Sequence, residues 1–260
     1  MKRFSQFYLI RIQYLGFRYH GWAKQGNLKT VHLMIDRTLN YVLGHDQFKT
    51  LGCGRTDAMV SAEDYVFELF VNDEIESEPF LKDFNENLPA DIRALSISET
   101  DERFNVIQSA RTKEYHYHFS FGPKSHPFSA PYIAHFNEEL DIESMKKATQ
   151  YFLGNHNFRR FVSKPSNDAV LERTMIKSEL KINKDLKSSF FPNSSYVFKI
   201  AASGFLRYQV RLMVGALRDV GQGIIAPEFI QEALSNPDGE PFVRKAPASG
   251  LVLHQVSLDH

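Results

Sequence analysis

Apolar and polar positions change period several times along the chain. The run 7–14 (FYLIRIQY) is rich in aromatic and β-branched residues and reads as a strand, followed by a turn at Leu15-Gly16-Phe17. Val31, Met34, Ile35, Leu39 and Val42 recur at helical spacing and predict a helix over 30–43. Residues 48–52 form a short strand ending at Gly52-Cys53-Gly54, and 64–71 (DYVFELFV) a second one. A helix near 78–86 and a strand near 92–98 complete a β-α-β-β-α-β order, the split βαβ or ferredoxin-like pattern.

The second half repeats this style on a larger scale. A strand of alternating character is expected over 114–121 and a helix over 141–153, with Asp141 as its cap. Strands follow at 171–182 and 195–203, joined by a polar loop. Leu206, Val210, Met213, Val214, Leu217 and Val220 line one face of a helix predicted over 206–220, and a further helix is expected over 227–235. The tail 250–258 closes as a strand. The weakly patterned stretch from Arg103 to Arg111 marks a boundary, giving an N-terminal half 1–105 and a C-terminal half 106–260.

Composition narrows the class. Hydrophobic residues make up 43% and charged residues 24%, so a core can form without metal or disulfide support. The single cysteine, Cys53, cannot close an internal disulfide and reads as a small buried residue. No apolar run approaches the roughly 18 residues of a membrane span, and the first residues lack the pattern of a secretion signal, so a cytoplasmic location is expected. The 31 basic residues balance 31 acidic ones. That neutrality leaves nucleic-acid binding open, because a basic surface can be backed by an acidic one. Basic residues gather at Arg159-Arg160, at Arg207, Arg211 and Arg218, and at Arg244-Lys245, while acidic ones gather at 73–78 and 138–143.

The candidate chemistry starts at Gly52-Cys53-Gly54-Arg55-Thr56-Asp57. Two glycines after a strand permit close approach of another group, and an arginine two residues from a carboxylate can hold it ionised and oriented. A turn carrying a surface ion pair is the commoner occupant of such a hexapeptide. His116 and His118 alternate on one strand face, but no companion ligand cluster accompanies them, so surface or RNA-facing histidines are expected. Trp22 reads as packing near a turn, with RNA stacking as the alternative. For Tyr115, the shared strand face with Tyr117, Phe119 and Phe121 favours aromatic packing when the residues are read alone.

The colinear motifs change that balance. Arg55-Thr56-Asp57-Ala58-Met59-Val60-Ser61-Ala62 resembles the catalytic run of the tRNA pseudouridine synthase A family, usually Arg-Thr-Asp-Ala-Gly-Val-His-Ala. The segments 14–22 (YLGFRYHGW), 87–92 (NLPADI), 109–117 (SARTKEYHY), 152–158 (FLGNHNF), 205–215 (FLRYQVRLMVG) and the end from Gly250 are similar to further landmarks of that family, in its order, from about residue 7 onward. The resemblance implies an α+β fold of two ferredoxin-like α/β halves. Their strands would join one mostly antiparallel sheet flanked by helices, with the catalytic cleft between the halves. It implies conversion of uridine to pseudouridine in structured RNA, namely tRNA at the anticodon arm, by a homodimer with no cofactor, metal or membrane partner. Asp57 would be the catalytic carboxylate, and Arg55 and Arg211 would hold it charged and placed. Tyr115 would stack on the uracil, with Arg55 and Thr56 also contacting substrate. The alternative is a catalytically impaired RNA-binding or RNA-chaperone module on the same fold.

Several positions depart from the family pattern. Met59 stands for its usual Gly, Ser61 for its His and Ile107 for an Arg, and Glu63-Asp64 adds two acids. Extra carboxylates and fewer cations near a binding surface are expected to weaken phosphate binding.

Overall fold

The computed structural model describes residues 4–165 and 168–258. It is α+β, as the resemblance implies, and the chain divides into two compact units. The first comprises the N-terminal part through Arg111 together with the tail from Leu253; the second runs from Thr112 to Val252.

In the first unit β1 (Gln6–Tyr14), α1 (Val31–Leu43), β2 (Lys49–Gly52), β3 (Ser61–Val71), α2 (Ser77–Asn87) and β4 (Ile92–Glu99) follow in the predicted order. β1 lies between β4 and β3, antiparallel to both, and β2 pairs antiparallel with β3. This is the split βαβ arrangement: each helix carries the chain over one strand before it rejoins the sheet. α1 begins where Thr30 accepts a hydrogen bond from Leu33 N, and it buries Val31, Ile35 and Leu39, while α2 buries Phe80 and Phe84. These side chains join Tyr8, Ile10, Ile12, Val66, Phe67 and Leu69 in the buried core.

The strand β3 starts at Ser61, three residues earlier than the apolar run suggests, and its residues 65–69 are all buried. Strict alternation therefore fails there. One consequence is Glu68, a carboxylate at 1% exposure in the middle of the sheet. One of its oxygens accepts from Val106 N at 2.8 Å, tying the segment after β4 to the sheet; the other is buried with no partner among the described residues.

In the second unit β5 (Ala110–Phe121), whose first two residues still belong to the first unit, is followed by β6 (Ala134–Phe136), α3 (Ile142–Gln150), β7 (Gly154–Asn157), β8 (Glu172–Ile182) and β9 (Tyr196–Ala202). Strand order is β5-β9-β8-β7, antiparallel throughout, with β6 parallel to β5. The short β6 and β7 carry too few residues for a readable period, so the sequence reading lacks them. Asp141 caps α3, as expected, accepting from Glu143 N and Ser144 N. Phe152, Phe158, Phe161 and Phe198 form a buried aromatic cluster beneath the sheet.

The helix α4 spans Gln209–Gly221 and buries one long face, including Val210, Met213, Val214, Leu217 and Val220. The period suggested a start at 206. Tyr208 adopts a left-handed conformation (φ 61°, ψ 7°), which breaks the helix before Gln209 and leaves Leu206 in the preceding loop. α5 (Glu228–Ser235) follows, then β10 (Leu251–Leu258), whose residues from Leu253 lie beside β3.

Burial pushes the Glu68 carboxyl upward, against the pull of the Val106 hydrogen bond and of Lys49. Because the folded state holds this proton more tightly than the unfolded chain, stability falls as pH rises from the ordinary glutamate range through the raised folded value, and is level above it. Glu68→Gln keeps the acceptor for Val106 N and removes the titration. Urea midpoints at pH 5 and pH 8 are therefore expected to fall less between the two pH values in the variant than in the wild type. Parallel pH dependence in the two proteins would contradict this assignment.

Candidate functional site

The loop carrying Arg55, Thr56 and Asp57 joins β2 to β3 and is held by the turn after β1. Trp22 N donates to Thr56 O at 3.2 Å and Met59 N to Tyr19 O at 3.0 Å. Below them the hydroxyls of Tyr14 and Thr56 share a hydrogen bond of 2.9 Å. Gly21 lies against the Thr56 carbonyl with φ +84°; a Cβ there would stand 2.5 Å from Thr56 O. Both the dihedral and the space require glycine. The turn is itself anchored to the 87–92 motif, since Asp91 accepts from Tyr19 OH at 2.6 Å and from Arg18 Nη2 at 2.8 Å. Burial would raise the Asp91 carboxyl, but Arg18 and Tyr19 outweigh it and hold it below the usual range. Three stretches that looked like separate landmarks are thus one interlocked structure.

Within this loop Thr56 is buried, Asp57 half-buried and Arg55 exposed. Thr56 faces the protein through Tyr14 and through its own carbonyl. Arg55 makes no ion pair among the described residues, so the Arg55–Asp57 pair suggested by spacing is not formed. Trp22 is packed, as the sequence suggested: its ring stacks on Tyr65 at 3.9 Å and on His32 at 5.1 Å. Cys53 is buried as well.

The unusual residues after Asp57 have structural roles. Ser61 is buried and accepts from Gly16 N at 2.9 Å, adding another tie between loop and turn. Asp64 receives Arg11 at 2.7 Å and Val256 N at 3.3 Å, and Glu63 is hydrogen-bonded to His254. Both acids thus have partners, Asp64 on β1 and β10 and Glu63 on β10. Ile107 is exposed.

The remaining candidates belong to the second unit. Tyr115, on β5, is 9% exposed and meets the Phe205 ring edge-on at 5.1 Å. Tyr117 is fully buried and donates to Pro247 O at 2.9 Å; burial raises its hydroxyl, with Arg211 and Arg218 acting in the opposite direction. Arg211, in the first turn of α4, donates from Nε to Ala246 O at 2.8 Å, while Ala246 N returns a bond to Arg211 O at 3.0 Å. Gly215 makes this clasp possible: a Cβ there would lie 1.8 Å from Arg244 O.

His116 and His118 are not at the surface as expected. They are 4% and 2% exposed, because both faces of β5 are covered over 115–120. His116 Nε2 lies 2.8 Å from Glu114 Oε1, which also accepts from Lys177 at 2.6 Å. Burial would raise the Glu114 carboxyl, yet these two partners hold it low.

Met59 has φ +67° in the turn closed by Val60 N to Asp57 O at 3.2 Å. This explains why glycine suits the position. A non-glycine residue pays roughly 1–2 kcal/mol there, of which the greater freedom of unfolded glycine would return about 0.5–1 kcal/mol. Met59→Gly is therefore expected to stabilise the protein by roughly 0.5–1 kcal/mol in a denaturant titration; a destabilised variant would show that the side chain contributes more than the backbone costs.

The family profile described as tRNA pseudouridine synthase matches residues 148–259. Among curated proteins, tRNA pseudouridine synthase A 2 of Bacillus anthracis is 30% identical over 250 residues, covering 96% of this chain and 98% of its own length. The tRNA pseudouridine synthases A of Clostridium kluyveri and Acetivibrio thermocellus are 31% and 33% identical over 245 residues, covering 94% of this chain and 96% of theirs. Identity of this extent across both units, together with the interlocked motifs around Asp57, places this chain in the tRNA pseudouridine synthase A family.

Proposed function

We propose that this protein isomerises uridine to pseudouridine in tRNA with Asp57 as its catalytic carboxylate. The observation that carries the reading is the Arg55-Thr56-Asp57 loop, clamped by the turn 15–22 in a chain that aligns with tRNA pseudouridine synthases A over nearly its whole length. The reaction breaks the N1–C1′ bond, turns the uracil and joins C5 to C1′. An ionised carboxylate serves it either as a nucleophile at C1′ or as the base that removes a proton from C2′. A buried Thr56 and a half-buried Asp57 suit that task, because the backbone is rigid while the carboxylate remains reachable.

The other roles follow from residue chemistry. Tyr115 stacks on the uracil, and its hydroxyl assists proton removal from C5. By the family resemblance Arg211 is the second arginine of the catalytic set, and its bond to Ala246 O orients it. Arg55, exposed and not engaged in an ion pair among the described residues, is suited to meeting RNA phosphate or filling the space left by an extruded base. The anticodon arm as target and a homodimeric, cytoplasmic enzyme belong to the same proposal by family resemblance. No described helix is long and apolar enough to cross a membrane.

Tritium release from tRNA labelled with [5-³H]uridine tests the mechanism. Asp57→Ala is expected to fold and bind tRNA with near wild-type affinity while releasing tritium at least about 10³-fold more slowly, the scale of losing a principal catalytic group. Substantial activity in the variant would remove Asp57 from the chemistry. A wild-type protein that binds tRNA but modifies no cellular RNA would instead favour the RNA-binding module.

A further inference from the structure

We propose that the turn at Tyr208 is a binding site for an RNA backbone phosphate, formed by Arg207 and Lys245 beside Arg211. The proposal rests on the tRNA substrate argued above and extends it to residues with no assigned role.

Three cations converge on one ring. Lys245 Nζ lies 4.4 Å from the Tyr208 centroid, and the guanidinium carbons of Arg207 and Arg211 lie 5.0 and 5.4 Å from it. The ring face attracts a cation but does not neutralise it. Among the described residues, neither Arg207 nor Lys245 makes an ion pair. The contrast with nearby cations is direct. Arg218, two turns along α4, pairs with Glu138, and Arg244, next to Lys245, pairs with Asp219 at 2.6 Å. Carboxylates therefore serve the neighbouring cations and leave Arg207 and Lys245 unanswered.

The backbone supports the same conclusion. Tyr208 is held left-handed immediately before α4, a conformation costly for a tyrosine, and it brings the ring and Arg207 to the head of the helix. The first turn of α4 contains no acidic residue and has no side-chain cap at Tyr208, so the positive end of the helix adds to the field. Gly215 lets residues 244–246 lie against α4, and the Arg211–Ala246 clasp fixes Lys245 beside the ring. Arg207 and Lys245, gathered at one ring, repel each other until an anion joins them. A phosphodiester fits, with the guanidinium and ammonium groups on its oxygens and the aromatic ring available to an adjoining ribose or base.

The test is the salt dependence of tRNA binding, by fluorescence anisotropy, together with steady-state tritium release. Each lost phosphate contact lowers the slope of log K against log salt by about 0.7–0.9. Arg207→Gln/Lys245→Gln is expected to lower it by about 1–2 and to raise KM about tenfold, with kcat within about twofold of wild type. Arg207→Lys is expected to retain the slope, and Lys146→Gln, on the exposed side of α3, serves as the control. Slope and KM equal to those of the control would overturn the site, as would a fall in kcat at unchanged KM. Should the double variant fail to fold by thermal melting, Lys245→Gln alone, at an exposed position, decides the matter with about half the slope change. If wild-type protein releases no tritium, the functional reading fails, while the slope still decides whether these residues bind phosphate.

Discussion

The geometry around Asp57 depends on one backbone contact: the turn after β1 pressed against the carbonyl of Thr56. Hydrogen bonds from Trp22 N and Met59 N fix the loop at both ends, and Gly21 allows the two segments to approach closely. A half-buried carboxylate on a free loop would sample many orientations. Here the buried Thr56 and its bond to Tyr14 fix the backbone from which the side chain of Asp57 leaves. The clamp also explains why unusual residues after Asp57 leave the loop intact. Ser61 adds a tie to Gly16, and Met59 accepts a strained dihedral because the surrounding hydrogen bonds impose it.

The second unit solves a similar problem with a helix. The absence of a side chain at Gly215 lets the segment 244–246 run against α4, and the reciprocal bonds between Arg211 and Ala246 orient an arginine that would otherwise swing freely. The same approach sets Lys245 beside Tyr208. Orientation of a charged group and accumulation of positive charge are thus two results of one close packing contact. Within a chain of zero net charge, this is how a local cationic surface arises.

Much of the architecture was legible in the chain. The βαββαβ order of the first unit follows from periods of two and 3.6, and Asp141 caps its helix as a small polar residue does. The position of Asp57 was legible only through colinear motifs, since the hexapeptide by itself reads more simply as a surface turn. The errors have definite causes. α4 begins three residues late because a single left-handed tyrosine overrides an apolar period that continues through it. His116 and His118 are buried because β5 is covered on both faces, which alternation cannot reveal. Spacing suggested an Arg55–Asp57 pair, but sequence distance does not determine which way two side chains leave a loop.

The sequence alone determined the family and the order of the longer elements, because these are written in local periods and in short motifs kept in order; it also supplied the candidates for the chemistry. Tertiary structure decided what holds them. It joined the 14–22, 52–62 and 87–92 stretches into one clamp, supplied partners for Glu63 and Asp64, buried Glu68 with one oxygen unanswered, and gathered Arg207, Arg211 and Lys245 around a tyrosine. Each of these depends on which distant backbone passes within hydrogen-bond reach, on where a missing Cβ lets it come closer, and on which charges find partners. None of those distances is encoded in any local pattern of residues.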